Sequence, residues 1–322
     1  MGKLINEFTW SVSRHGLFAE CRRAYYYNYY GSWGGWESDA PPATRQLYLL
    51  KNLKTMEMWA GSLVHEVIAD ALGRYARTGH AIAAGELQAQ ARQKLRAGWV
   101  EAVNGDWRKN AKKTNLFELY YGNGRSLPPE HTERIKARVF DCLANFAEAA
   151  VLQEILSVPY LQWKPIDKLD SFIMDAVKIW CALDFACTDA AGTLRIIDWK
   201  TGSEDSEALK LQLACYAFFA SERWMVRPDM VRVSGIFLRE KARCSDYAMA
   251  PDVLVDARDR ILMSAAQMRE LLMDIEKNAA READFAFCQS PRSCQRCNFR
   301  EVCPQGKQVA PRAPAEPPTA VL

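Results

Sequence analysis

The segment LRIIDWKTG, residues 194–202, decides the fold of this chain. It is short, apolar and partly β-branched up to Trp199, which predicts a buried strand. A similar stretch, residues 177–187, precedes it, and a polar segment that ends in Gly192-Thr193 separates the two. The pattern predicts a hairpin with a three-residue loop at 190–192, in which Gly192 takes the left-handed conformation.

This hairpin brings two carboxylates together. Counting outward from the loop, Cys187 lies opposite Arg195, and Asp184 lies opposite Asp198. Opposed residues have Cβ atoms roughly 4.5–5.5 Å apart, so the two acids repel each other unless a positive charge lies between them. Side chains alternate along a strand, so Lys200 shares the face of Asp198. Two acids and a lysine in this arrangement suit metal-assisted hydrolysis of a phosphodiester.

The alternative is an edge strand on which Asp198 and Lys200 are solvated, because an Asp-x-Lys tripeptide is common. Gln212 and Tyr216 are four residues apart, so they share one face of the helix that follows the hairpin and could point at the strand ends. They could equally be a partly buried polar pair. His65 lies at the start of another helix and is either structural or, as a neutral imidazole, a metal ligand that favours Mn²⁺ over Mg²⁺.

The remaining pattern predicts a helical first half and a mixed second half. We expect helices over 59–77, 83–103 and 130–157, then, after the hairpin, a helix over 205–223, a strand over 230–239 and a helix over 252–281. This order predicts an α/β (α+β) chain in which a small mixed sheet is flanked by helices.

Composition sets broad limits. The 322 residues carry a net charge of +3, and 49% are hydrophobic and 25% charged, as in an ordinary soluble globular protein. We see no run long enough to span a bilayer and no signal peptide, which predicts a cytoplasmic protein without a membrane partner. The ten cysteines are then reduced thiols or metal ligands.

Three of these cysteines have ligand spacing. Cys294-x2-Cys297-x5-Cys303 suits one soft metal centre, with Cys21 as the best candidate for a fourth ligand and Cys288 as its competitor. Spacing alone leaves an iron–sulfur cluster and Zn²⁺ both open. The Pro/Ala-rich tail, 309–322, is predicted to be disordered.

Two further features could contact nucleic acid. Arg108, Lys109, Lys112 and Lys113 form a dense basic cluster that could follow a phosphate backbone, or be a solvated charge run. The aromatic run 25–30 could stack unpaired bases, or pack around the metal centre.

Taken together and in order, these motifs resemble the PD-(D/E)XK nuclease superfamily. The branch they resemble is the RecB-like one with an iron–sulfur cluster, which includes the AddB nuclease domain and the RecB-like CRISPR-associated exonucleases. The matching segments are Phe18-x2-Cys21-Arg22-Arg23-x-Tyr25-Tyr26, Gly61-x3-His65, Asp184, Asp198-Trp199-Lys200-Thr201-Gly202, Gln212-x3-Tyr216, and Cys294, Cys297 and Cys303. Cys181 stands where the family often has Gly, and no helicase motif is present.

The resemblance implies a metal-dependent deoxyribonuclease, an exonuclease acting on single-stranded DNA or DNA ends. The expected site has Mg²⁺ or Mn²⁺ on His65, Asp184, Asp198 and the Trp199 carbonyl, with catalytic Lys200 supported by Gln212 and Tyr216. It further implies a structural [4Fe–4S] cluster on Cys21, Cys294, Cys297 and Cys303, and a helicase, recombination or CRISPR adaptation partner. A non-catalytic module that binds nucleic acid is the alternative.

We expect one iron–sulfur nuclease domain over residues 1–308, with a restriction-endonuclease-like core. It would comprise the first-cysteine and aromatic segment (1–36), a mostly helical part (37–165), the catalytic β-core (166–240), and a helix with the cysteine-rich cap (241–308).

Overall fold

The computed structural model of the chain describes residues 4–122, 127–202 and 206–309. It is an α+β structure in which a small mixed sheet is flanked by helices, so the predicted fold class is confirmed. No helix in these ranges is long and apolar enough to cross a membrane. The predicted disordered tail lies, apart from Val309, outside the described residues.

The central sheet has four strands in the order β3-β4-β5-β6. They are β3 (Phe185–Thr188), β4 (Leu194–Lys200), β5 (Val231–Phe237) and β6 (Arg243–Tyr247). The outer pairs are antiparallel, whereas β4 and β5 are parallel. A parallel pair needs a crossover connection, and here helix α9 (Ser206–Trp224) lies in it.

Helices make up most of the remaining structure. Those before the sheet are α1 (Val12–Glu20), α2 (Arg22–Tyr26), a π-helical turn (Tyr27–Gly31), α3 (Pro42–Lys51), α4 (Met56–Thr78), α5 (Ala84–Asn104), α6 (Phe117–Tyr121), α7 (Pro129–Glu148) and α8 (Ala150–Ser157). Those after it are α10 (Pro251–Glu270), α11 (Pro291–Arg296) and α12 (Pro304–Val309). Two small hairpins complete the fold: β1 (Lys168–Met174) with β2 (Val177–Leu183), and β7 (Leu272–Asp274) with β8 (Ala279–Ala280).

Both faces of the sheet are covered, which explains why strand β4 is apolar on both sides. Leu194 and Ile196 pack into one core with β1, β2, α9 and α10. Ile197 and Trp199 pack into a second core with α4, α5, α7 and α8. The polar residue Asp198 is therefore enclosed, and its side chain lies on the α9 side.

The predicted hairpin register is confirmed. Cys187 pairs with Arg195, and the Asp189 amide donates to the Thr193 carbonyl at 2.9 Å. Gly192 has φ +82°, the left-handed conformation that closes the loop.

The strand predicted over 177–187 is divided at Asp184. Residues before the break, β2, pair with β1, whereas residues after it, β3, pair with β4. Asp184 itself belongs to neither strand. The chain thus changes partners at this residue.

Two helices were predicted too long, and four strands were missed. The helix predicted over 252–281 ends at Glu270, and a β-hairpin follows. The helix predicted over 130–157 is divided at Ala149, whose ψ of 135° is extended. The short edge strands β1, β6, β7 and β8 were not predicted.

The two ends of the described chain interlock. The Arg23 guanidinium donates to the Phe285 carbonyl at 2.8 Å and pairs with Glu282 at 2.7 Å. The Tyr27 hydroxyl donates to the same Glu282 carboxylate at 2.8 Å. These contacts hold α2 and the π-helical turn to residues 282–285.

We predict that Gly192→Ala lowers the free energy of unfolding by about 1–2 kcal/mol, because alanine is strained at positive φ. A Cβ there would meet only Met230 Cε at 4.0 Å, so the loss would be conformational rather than steric. Chemical denaturation measures it. Gly85→Ala, in helix α5 with open space around it, is the control and should raise stability by about 0.5–1 kcal/mol. Equal stability of Gly192→Ala and the unsubstituted protein would contradict the turn assignment.

Candidate active site

Asp198 is the centre of the candidate site. It lies on β4 and is 1% exposed, which excludes the alternative of a solvated edge strand. Its Oδ1 accepts hydrogen bonds from Gln212 Nε2 at 3.1 Å and from the Tyr216 hydroxyl at 3.0 Å. The prediction that these two residues of α9 face the strand is therefore confirmed.

Tyr216 also joins the site to the neighbouring hairpin. Its hydroxyl receives a hydrogen bond from Gln212 Nε2 at 2.6 Å and lies 2.9 Å from the Ala182 carbonyl of β2. A phenol has one proton, so Tyr216 donates either to Ala182 or to Asp198 at any moment. The hydroxyl fixes the relative position of β2, β4 and α9.

Lys200 lies beside the other oxygen of Asp198. Its Nζ is 2.7 Å from Asp198 Oδ2 and donates to Gln212 Oε1 at 2.8 Å. Within the described ranges, Asp198 Oδ2 is buried and receives no hydrogen bond of acceptable geometry, although Lys200 is close. A buried carboxylate oxygen that receives no hydrogen bond can accept a further positively charged partner.

Asp184 reaches the same place from the break between β2 and β3. Its Oδ2 accepts the Trp199 backbone amide at 2.8 Å, and its Oδ1 is 2.9 Å from His65 Nδ1 on helix α4. The two acids are therefore close enough for Asp184 to affect the pKa of Asp198, in keeping with the predicted opposition of these residues, although the β3–β4 ladder itself begins at Phe185. One turn before His65, a Cβ at Gly61 would lie only 3.1 Å from Thr201 Oγ1. Glycine thus lets α4 approach the end of β4 closely.

Electrostatics favour the protonated forms of two groups in this cluster, Asp198 and His65. Burial, and next the Asp184 carboxylate, raise the pKa of Asp198 to about 6, even though Lys200 acts in the opposite direction. Burial lowers the pKa of His65, but Asp184 and Asp198 more than offset it, and the net pKa is raised. A divalent cation beside the two carboxylates would stabilise their ionised forms and would therefore lower both pKa values.

The two carboxylates suit a divalent cation, but the full predicted set of ligands is not assembled. Across residues 4–122, 127–202 and 206–309, no group of three or more His, Cys, Asp and Glu side chains has the arrangement of a metal site. The predicted set of His65, Asp184 and Asp198 is therefore not preassembled, because the His65 imidazole binds the Asp184 carboxylate directly. Two carboxylates do fit Mg²⁺, which binds one or two protein carboxylates and takes its other ligands from water and substrate phosphate.

One residue at this site carried no sequence signal. Arg138 of α7 donates from Nη2 to the Thr201 carbonyl at 2.6 Å, and so supports the turn after Lys200. It lies between buried residues of its helix, Ile135 and Val139, in a pattern that an ordinary surface arginine also shows.

The cysteines predicted as ligands line one cavity of about 260 Å³, together with Cys288. Burial raises the pKa of Cys21, Cys294 and Cys297, the last to about 12, and neighbouring thiols add to each shift. Backbone amides donate to three of the sulfurs, Ala24 to Cys21 at 3.3 Å, Phe299 to Cys297 at 3.4 Å and Ser290 to Cys288 at 3.3 Å. The thiols are thus brought together, although not in metal-site geometry within the described residues.

Of the two features predicted to contact DNA, the basic cluster is exposed, whereas tyrosines of the aromatic run are buried. Arg108, Lys109, Lys112 and Lys113 are exposed, so their contact with DNA stays a prediction, but Lys113 is paired with Glu101. The stacking hypothesis is wrong for Tyr25 and Tyr27, which are 0% and 4% exposed. These rings pack against Phe285 and Phe299 of the last part of the chain.

Comparison with known proteins agrees with this geometry. The family model of the PD-(D/E)XK nuclease superfamily matches residues 9–304, and the chain belongs to that superfamily. Its members are in general hydrolytic nucleases, and the mixed sheet flanked by helices agrees with their restriction-endonuclease-like fold.

No curated protein matches the chain in sequence. Seven chains of solved structures match. One of them, entitled "Crystal structure of SSO0001", is 16% identical, and the match covers 54% of this chain and 77% of that chain with a TM-score of 0.28.

We predict that Asp198→Asn stabilises the cation-free protein at pH 8 by about 1–3 kcal/mol. The raised pKa means that the folded state binds the Asp198 proton more tightly than the unfolded state does. The free energy of unfolding therefore falls as pH rises from about 4 towards about 6, and asparagine removes this loss. Chemical denaturation in EDTA at pH 4 and pH 8 measures it.

Asp198→Asn should gain little stability over the unsubstituted protein at pH 4, where Asp198 is already neutral. Asp259→Asn, an exposed acid on α10, is the matched control and should change stability little at either pH. A gain of the same size at both pH values would show that charge burial at Asp198 is not its cause.

Proposed function

We propose that this chain is a metal-dependent deoxyribonuclease that hydrolyses phosphodiester bonds at Asp184, Asp198 and Lys200. The observation that carries the proposal is the buried Asp198 carboxylate, with one oxygen bound to Gln212 and Tyr216 and the other 2.7 Å from Lys200 Nζ. Membership of the PD-(D/E)XK superfamily supports the same reaction class.

Mg²⁺ or Mn²⁺ would be held by Asp184, Asp198 and the Trp199 carbonyl, with His65 reorienting from Asp184 to complete the set. When bound, the cation would act as a Lewis acid on the phosphodiester. Lys200 is placed to neutralise charge that develops on the phosphate, or to position the attacking water. Gln212 orients both Lys200 and Asp198, since its amide contacts each of them.

We further propose that the enzyme is an exonuclease acting on single-stranded DNA or DNA ends, as its resemblance to the RecB-like branch implies. A labelled linear oligonucleotide would then be shortened, whereas a single-stranded circle of the same sequence would stay intact. Cleavage of the circle would instead indicate an endonuclease.

We predict that Lys200→Ala and Asp198→Ala each lower the cleavage rate by about 10²–10³-fold or more, because Lys200 would stabilise charge on the reacting phosphate and Asp198 would hold the cation. EDTA should abolish cleavage by the unsubstituted protein. Lys210→Ala is the matched control: this lysine lies on α9, is exposed, and pairs with Glu207. Near-normal cleavage by both site variants would refute the assignment.

The second candidate function is a non-catalytic module that binds nucleic acid. The raised pKa values and the interlocked chain ends would equally suit a scaffold that has kept the family's fold. DNA binding without cleavage under Mg²⁺ or Mn²⁺ would favour this alternative.

We also propose a [4Fe–4S] cluster on Cys21, Cys294, Cys297 and Cys303, with Zn²⁺ as the alternative metal. Support comes from the shared cavity and from the amide groups that donate to sulfur, a feature that tunes iron–sulfur centres. The cluster would be structural, reinforcing the contact between the chain ends.

We predict that anaerobically purified protein is coloured and contains iron and sulfide in equal amounts. Cys297→Ser should lose most of the iron, because a ligand is removed, whereas Cys244→Ser should keep it, because Cys244 lies outside the cavity. Metal analysis and the visible spectrum measure both. Zinc in place of iron would select the alternative, and metal-free protein would reject the site.

A further inference from the structure

A second pocket, of about 370 Å³, lies next to the candidate active site. It is lined by three arginines, Arg134 and Arg138 of α7 and Arg239 after β5, together with Glu57 and Asp141. Its volume falls at the small end of ligand-binding cavities, roughly 300–1,000 Å³. We call it the arginine pocket.

The arginine pocket is connected to the catalytic strand by direct contact. Arg138 lines the pocket and donates to the carbonyl of Thr201, the residue that follows Lys200. Glu57 lies two turns before His65 on the same face of α4, about 12 Å along the helix axis at 1.5 Å per residue. A nucleic-acid strand at the catalytic residues would therefore reach this pocket within a few nucleotides.

Positive charge accumulates here with few internal partners. Arg134 and Arg138 are four residues apart on one helix, a like-charge spacing that destabilises a helix. Glu57 is only loosely paired, with its Oε1 4.0 Å from Arg134 Nη2 and 3.8 Å from His131 Nε2. Within the described part of the chain, the buried Arg138 Nε has no hydrogen-bond partner. The three guanidinium groups thus exceed the two carboxylates by one charge.

We propose that the arginine pocket binds one backbone phosphodiester of the DNA strand, a few nucleotides from the bond that is cut. This inference rests on the proposed function. Arginine presents planar donors that match phosphate oxygens, and three arginines line this pocket. A phosphodiester carries a single negative charge, which the excess positive charge of the pocket balances. Contacts of this kind position the strand without reading its sequence.

The test is the binding of a fluorescently labelled single-stranded oligonucleotide in EDTA, at several salt concentrations, so that cleavage plays no part. The double variant Arg134→Gln/Arg239→Gln should bind the oligonucleotide about tenfold more weakly than the unsubstituted protein does. The slope of log affinity against log salt should become shallower by about 0.7, because the protein then neutralises one phosphate fewer. Arg134→Lys/Arg239→Lys keeps the charge and should restore most of the slope. Both arginines are exposed, so these changes should leave the fold intact.

Arg227→Gln is the matched control, because Arg227 is exposed and lies before β5, at the sheet end opposite Lys200. It should keep the affinity and slope of the unsubstituted protein. The double variant Arg134→Gln/Arg239→Gln could also keep the affinity and slope while the unsubstituted protein cleaves DNA. In that case the arginine pocket is not a phosphate site and the nuclease assignment stands. If the unsubstituted protein neither binds nor cleaves the oligonucleotide, both proposals fail.

Discussion

Everything at the candidate site depends on one constraint, an ionisable carboxyl group enclosed inside a covered sheet. Water hardly hydrates the ionised carboxylate of Asp198, because the residue is buried, and Asp184 lies close enough to oppose its ionisation. The protein offsets this cost with the Gln212 amide, the Tyr216 phenol and the Lys200 ammonium group. Such an arrangement stores unfavourable electrostatic energy that a bound cation would release.

The architecture explains how four separate parts of the chain meet around that carboxyl group. Strand β4 ends its pairing with β5 at Lys200, so the polar residues occupy the end of the ladder. The break at Asp184 frees its side chain to bind a backbone amide of the neighbouring strand. Helix α9 crosses one face and α4 approaches from the other, where Gly61 removes the steric obstacle. Each element therefore contributes one type of contact.

The sequence predicted the β3–β4 hairpin well, because Gly192 marks its turn and a fixed turn fixes the register. The turn between β1 and β2 has positive φ at Asp175 and Ala176 but contains no glycine or asparagine, so β1 carried no signal. The predicted helix over 252–281 was too long because apolar periodicity continues beyond α10, while Asn278, with φ 46°, marks the later hairpin. Arg138 was missed because its contact depends on tertiary packing.

The interlocked chain ends have a consequence for how the protein is made. Arg23 and Glu282 are separated by most of the chain, and the closing contact forms only after the later residue has been synthesised. Loop closure over such a separation is slow, so the buried tyrosines near the start stay exposed during translation. At about 5–20 residues per second, that interval lasts roughly 10–50 s, during which the aromatic segment lacks the later residues that bury it in the folded chain.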